Sequence, residues 1–439
     1  MRARTITALL ILAGLATAVP AASATSERYV SIAGAKGPGP AQYNRVFVHQ
    51  FGAPTAKRVL VLVPGYVGGS GDFTLVARAL VKRVPGLAVW ALDRRTQAFE
   101  DTAVFATGTR QQAYDQYLGF KFKIVDGARD APFARQWGLR LALEDLRRVV
   151  LTARAGGRRT VILGGHSLGA STTVAYASWD FAGHPGYQDV AGLVLIDGGL
   201  LGTFSTSSLA SVRKQLSAIQ TGDPFVDLLG LGLPWAAGIF AEIGAMYAQQ
   251  APQERSPLQD FPLLPAAFKP AVSVTSEALF GHAFDEQTSP KSLALLHVNA
   301  GGFAPSGDPR PWRDGGLTPV QNLAKTFFQE PGNAVEWYFP KRLTLDVDGA
   351  NALKRNAITK LLGLRLFDRA KINVPLYAYQ TNLTHGRVLR GARRFVHSSR
   401  IPRATYVNDP AAAHLDPLTA APSRNSFLKT VVPFLKSLR

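Results

Sequence analysis

Val161-Ile162-Leu163-Gly164-Gly165-His166-Ser167-Leu168-Gly169-Ala170-Ser171 is the stretch on which the reading of this chain turns. An apolar run of β-favouring residues breaks into Gly-His-Ser-Leu-Gly and then into small residues that a helix tolerates. This is the G-x-S-x-G pattern of a strand–turn–helix corner that holds a serine at the end of a sheet. Glycines flank the serine because side chains there would collide with the neighbouring strand or helix. The corner also asks for a strained backbone at Ser167 itself.

Working outward, strands and helices alternate. Residues 57–64 form a near-continuous apolar run, as expected of a strand buried on both faces of a parallel sheet. Residues 46–48 and 87–92 read as further strands, the latter ending at Asp93, and residues 73–82 as a helix. Residues 133–154 carry an amphipathic helical pattern through Trp137, Leu141, Leu146, Val149 and Val150. Residues 160–164 feed the serine corner, and residues 192–196 form another buried strand ending at Asp197. The alternation predicts an α/β fold with a mostly parallel, doubly wound sheet. Residues 25–41, rich in Gly and Pro, read as a flexible lead-in, and residues 99–131 as a loop-rich insertion with aromatics.

The rhythm stops after residue 198. Residues 199–370 mix Pro, Gly and apolar stretches, with helices predicted over 224–233 and 235–248. This is too long for a loop and suits a cap subdomain. Strands resume at 374–379 and 404–407. A last helix carries Phe427, Leu428, Val431, Phe434, Leu435 and Leu438, with Asn425 as its cap and Pro433 expected to kink or split it. The expected organisation is therefore a core of residues 25–198 and 371–439 around a cap of residues 199–370.

The chain has 439 residues, 46% of them hydrophobic and only 18% charged, which is compatible with a large core and not with wholesale disorder. Residues 1–24 have the form of an export signal: Arg2 and Arg4, an apolar stretch over 6–19, and Ala22-Ser23-Ala24 as a cleavage site. The expected localisation is secreted or cell-envelope. The absence of cysteine excludes disulfides, a thiol nucleophile and thiolate metal sites. Lys and Arg number 49 against 30 Asp and Glu, for a formal net charge of +19. Arg387, Arg390, Arg393, Arg394, Arg400 and Arg403 follow one another with no acid among them. Such an exterior is either a solvated face or a means of association with anionic wall or membrane surfaces. No nucleic-acid-binding module is recognisable.

A serine hydroxyl is a weak nucleophile until a base, an acid that orients the base, and donors for an oxyanion are supplied. His414, in Ala413-His414-Leu415-Asp416-Pro417 after the last strand, is the candidate base, with His385 and His397 as alternatives. His166 is expected to pack or hydrogen-bond rather than act, and His49, His184, His282 and His297 to lie at the surface or in the cap. No Asp or Glu occurs between Ala370 and Asn408. The candidate acid is therefore Asp197, at the strand end after the serine helix, with Asp409 as the alternative; Asp416 reads as a cap for the last helix. The amides of Leu168 and of Tyr66, in Pro64-Gly65-Tyr66-Val67-Gly68-Gly69, are the candidate oxyanion donors. Gly69-x-Gly71-x-x-Thr74 lacks the third glycine and the lysine of nucleotide-binding loops. Asp346-x-Asp348-Gly349 lacks most ligands of a calcium loop and reads as an ordinary turn. No metal or organic cofactor is called for.

Over about 43–199 and 371–439 the chain resembles the α/β-hydrolase superfamily. The resemblance rests on Pro64-Gly65-Tyr66, Gly165-His166-Ser167-Leu168-Gly169 and Ala413-His414-Leu415-Asp416-Pro417. It implies a serine–acid–histidine enzyme with a cap over its site. The expected substrate is a small-molecule or lipid ester, cleaved by an esterase or lipase reaction. Amide cleavage and acyl transfer in the cell envelope use the same three groups, and a non-catalytic binding protein is the remaining alternative. The chain departs from the commonest pattern at the acid, and the cap has no recognisable likeness.

Overall fold

A computed structural model describes residues 26–204, 207–328, 332–366 and 369–438. The export signal expected over residues 1–24 lies outside them. Eight strands form the central sheet: β1 (Glu27–Ala33), β2 (Arg45–Phe51), β3 (Arg58–Val63), β4 (Leu87–Asp93), β5 (Thr160–His166), β6 (Leu193–Ile196), β7 (Leu376–Gln380) and β8 (Ala404–Asn408). Their spatial order is β1-β2-β4-β3-β5-β6-β7-β8. β2 runs antiparallel to both β1 and β4, and the other pairs are parallel. This order and these directions are those of the α/β-hydrolase fold.

The apolar run of β3 is buried on both faces because successive side chains point to opposite sides of a strand. Leu60 and Leu62 enter one core with Val89, Ala91, Ile162 and Tyr377. Val59, Val61 and Val63 enter the other with Val161, Leu163, Leu195 and Ala378. Helix α1 (Thr74–Arg83) covers the first face. Helices α2 (Leu139–Arg154) and α3 (Leu168–Ser178) cover the second.

Four local expectations need correction. Residues 27–33 are not a flexible lead-in but edge strand β1, whose residues are all exposed or half-buried, so little hydrophobic pattern marked them. Helix α2 begins at Leu139, not at 133. Residues 132–136 form a separate 3₁₀ turn, and the Leu139 amide donates to Asp346 Oδ2 at 3.0 Å. Residues 224–233 are not helical: Gly230 and Gly232 take positive φ, which ends regular structure there. Asp346 and Asp348 lie on a helix (Lys341–Ala350), not in a turn.

Between β6 and β7 the chain builds α4 (Leu209–Thr221), α5 (Ala236–Gln250), α6 (Ser276–Phe284), α7 (Val320–Phe327) and α8 (Lys341–Ala350). Trp235, Ile239, Phe280 and Phe327 join the core of the α1 face, while Leu343, Leu345 and Val347 of α8 join the other. After β7 comes α9 (Arg387–His397), and the chain closes with α10 (Ser426–Ser437). Asn425 caps α10 through Leu428 N at 2.8 Å, and the helix runs unbroken through Pro433.

Candidate active site

The parallel strands end on one side of the sheet, and the candidate residues gather there. Ser167 sits between β5 and α3 with φ 56° and ψ −122°, a conformation L-residues rarely hold. The flanking glycines are sterically required. A Cβ at Gly165 would strike the Gly169 carbonyl, and one at Gly169 would strike the carbonyl of Val63 on the neighbouring strand. The Ser167 amide donates to Ile196 O at 2.9 Å, which ties the corner to β6.

Asp197 follows β6 directly, also at positive φ. Its Oδ2 accepts from His414 Nδ1 at 2.6 Å, and both side chains are fully buried. Oδ1 accepts from Thr381 N at 2.8 Å, and the Thr381 hydroxyl donates to Oδ2. Burial, the largest single influence, raises the Asp197 pKa. The hydrogen bond and charge of His414 and the two Thr381 donors together outweigh it and hold the carboxyl below its ordinary range. Asp197 is thus an ionised acceptor fixed on three sides.

His414 enters from the loop after β8. His166 holds it from below: its Nε2 donates to the His414 carbonyl at 2.9 Å, with the ring centroids 4.4 Å apart. Burial, followed by the proximity of His414, lowers the His166 pKa to about 3, so His166 is neutral and cannot compete for protons near neutrality. His414 Nε2 is buried and has no hydrogen-bond partner among the described residues, Ser167 included. Ser167 and His414 nevertheless line one cavity of about 320 Å³ together with Gly65, Tyr66 and Asp72.

The amides of Tyr66 and Leu168 donate to no acceptor among the described residues, and both residues border the Ser167 cavities. The loop that presents Tyr66 is held by groups that sequence reasoning missed. Arg94 donates to the carbonyls of Pro64 (2.7 Å), Gly65 (2.9 Å) and Gly68 (3.0 Å). It pairs with Glu336 at 2.7 Å and lies over the Phe339 ring at 5.0 Å. Asp93 accepts from the Ser70 amide and hydroxyl, and from Tyr29 OH at 2.7 Å. Residues 333–336 of the insertion run alongside, through Gly71 N to Asn333 O at 2.9 Å and Glu336 N to Val67 O at 2.8 Å. The available signal was an arginine directly after the buried strand next to β3.

Asp72 was also missed. Its carboxyl lines the Ser167 cavity, and no hydrogen bond to its side chain occurs among the described residues. Burial first, then the charge of Asp93, pushes its pKa well above the usual carboxylate range against the pull of Arg94.

The alternatives lie elsewhere. Asp409 accepts from Tyr379 OH at 2.8 Å and from the Ser426 hydroxyl, bracing β7 against α10. His385 and His397 are exposed at the two ends of α9. Asp416 does not cap the last helix; it accepts from Ala413 N (2.7 Å), Asn299 N (3.1 Å) and Thr318 Oγ1 (2.6 Å), which fastens the His414 loop to the insertion. His49 is buried in β2 and not at the surface, because its ring packs on Phe51 at 4.1 Å. Among the described residues no group of three or more His, Asp or Glu is placed to hold a metal ion.

No family model matches the chain, and no curated protein does. Among solved structures it is similar to a candidate lipase of Sulfolobus solfataricus (16% identity, TM-score 0.47, 94% of each chain covered). It is also similar to epoxide hydrolase A of Mycobacterium thermoresistibile (15%, 0.44, 94% of this chain and 99% of that one). A third is a monoacylglycerol lipase of Paleococcus ferrophilus (14%, 0.42, 90% and 99%). At these identities and scores nothing about reaction or substrate carries over.

Proposed function

We propose that this chain is an exported serine hydrolase that cleaves carboxylic esters through an acyl-enzyme. The observation that carries the reading is the buried Asp197–His414 pair at 2.6 Å, with Ser167 on a strained corner of the same cavity. Ser167 Oγ attacks the acyl carbon as its proton passes to His414 Nε2, the one ring nitrogen left without a partner. Asp197 keeps Nδ1 protonated and offsets the charge of the imidazolium. The Tyr66 and Leu168 amides receive the oxyanion. The histidine returns its proton to the departing alcohol, and water then attacks the acyl-serine through the same histidine. Acid, alcohol and free Ser167 result.

Ser167 at the elbow argues against the carboxylate nucleophile used by dehalogenases and epoxide hydrolases. The apolar walls of the inner cavity, Leu295, Leu296, Phe327 and Leu415, favour an ester with a hydrocarbon acid over a peptide, whose amides would lose hydrogen bonds there. The test is hydrolysis of p-nitrophenyl esters against aminoacyl anilides, with Ser167→Ala as the blank. Ester cleavage abolished in that variant supports the proposal; cleavage of anilides alone refutes it. Export is proposed from residues 1–24 and is tested by the N-terminal sequence of protein recovered outside the cell, expected to begin after Ala24.

A further inference from the structure

Ser167 opens on two spaces. On one side is an outer cavity of about 580 Å³, whose mostly apolar wall (Leu168, Phe204, Leu295 and Val347) carries Ser171, Thr344 and Asp348 as its polar members. The Thr344 hydroxyl has no hydrogen-bond partner there among the described residues. On the other side is the inner cavity, where Leu295, Leu296, Phe327 and Leu415 stand beside Asp72, His166 and His414. Behind that, within the insertion, lies a chamber of about 730 Å³ whose lining is almost wholly hydrocarbon, from Ala237 and Phe240 on α5 to Phe280 and Ala283 on α6.

Inner cavity and chamber share one residue, Leu296, and adjoin again where Ala334 borders the first and Val335 the second. Leu296 ends the 3₁₀ segment Lys291–Leu296, which crosses the site. Leu293 of that segment faces the chamber, Leu295 faces both Ser167 cavities, and Leu296 faces both the inner cavity and the chamber. None of the three leucines is fully buried by protein. About 80 Å³ of the chamber admits a water-sized sphere, several times what one water needs, so the space is more than a packing gap.

We infer that the chamber is the acyl-chain site, and that the natural substrate is an ester of a long, unbranched aliphatic acid with a polar alcohol. This rests on the ester-hydrolase reading and assigns its substrate class. The acyl carbon sits at Ser167, the chain runs through the inner cavity and past Leu296 into the chamber, and the alcohol leaves toward Thr344 and Asp348. Each methylene moved from water into the chamber multiplies kcat/KM by about fourfold until the chamber is full.

Two measurements test this. The first is fluorescence of cis-parinaric acid, a linear fatty acid, titrated into Ser167→Ala protein, with and without Ala283→Trp, which places an indole in the chamber. Saturable binding that Ala283→Trp weakens at least tenfold supports the assignment; no binding, or binding indifferent to Ala283→Trp, overturns it. The second is the chain-length profile of kcat/KM for p-nitrophenyl acetate, octanoate and palmitate. It should rise steeply with length in the native chain, and Ala283→Trp should lower the ratio of palmitate to acetate kcat/KM at least tenfold. Leu296→Ala, which opens the partition, should raise palmitate relative to acetate if Ala283→Trp fails to fold. Acetate cleavage with a flat length profile overturns the chamber assignment and leaves the hydrolase reading standing. Fatty-acid binding with no ester cleaved does the reverse.

Discussion

His414 depends on Asp197, and the two carboxylates considered for that partnership separate cleanly. Asp197→Asn should lower kcat by about 10⁴-fold, because an amide in its place no longer fixes the tautomer that leaves Nε2 free. Asp409→Asn should leave kcat nearly unchanged and cost stability, since that carboxylate braces β7 and α10; kinetics and thermal melts on both variants check this. Asp72 gives a pH prediction. Its folded pKa is raised, so its contribution to stability is complete below the ordinary carboxyl value of about 3.9 and is lost as pH rises through the raised one. On the proposed mechanism, ionisation there also puts a negative charge in the cavity where the oxyanion would form. Asp72→Asn should therefore keep kcat within a few-fold, remove a decline in kcat on the alkaline side and flatten the fall in melting temperature with pH, as read from rate and melting profiles. That Ser167, Asp197 and His414 gather at one end of the sheet was legible in the sequence, because Ser167 and Asp197 directly follow strands and His414 lies in the loop after the last one. Asp72 and Arg94 were not, because their roles arise from burial and from carbonyl directions that the sequence does not encode locally.

At the scale of elements, the loop over residues 64–71 is the part most dependent on others. Arg94 binds three of its carbonyls. On the proposed mechanism, that bracing keeps the Tyr66 amide, which has no acceptor among the described residues, available to the oxyanion. Arg94→Met should lower kcat by about 10²-fold with KM little changed. It also strands Glu336 without a cation, so the double variant with Glu336→Gln should recover melting temperature but not kcat. Recovery of both would make Arg94 merely structural. Elements whose burial follows a period were readable: β3 through its unbroken apolar run and α10 through one apolar side and its Asn425 cap. Those set by tertiary partners were not. β1 is held by antiparallel pairing with β2, and α2 starts where Asp346 from the distant α8 meets its first turn.

The molecule as a whole joins a sheet whose topology was legible to an insertion that was readable only as a break in rhythm. Residues 199–370 showed no period because their apolar side chains serve two cores and a chamber at once. The surface carries a separate proposal. The six arginines between 387 and 403 are all exposed, on and just beyond α9, on a chain of net charge +19. They should hold the protein on vesicles containing anionic phospholipid, and raising salt from roughly 0.05 M to roughly 0.5 M should release it; co-sedimentation unaffected by salt would dismiss the idea. The central claim, that Ser167 is a nucleophile armed by His414 and Asp197, is tested most directly by the intact mass of the folded protein after exposure to a fluorophosphonate. One phosphonyl group should appear, mapped by peptide mass to Ser167, and it should be absent in Ser167→Ala and slowed sharply in His414→Ala. A native protein that stays unmodified, or is modified at the same rate without His414, would contradict the account.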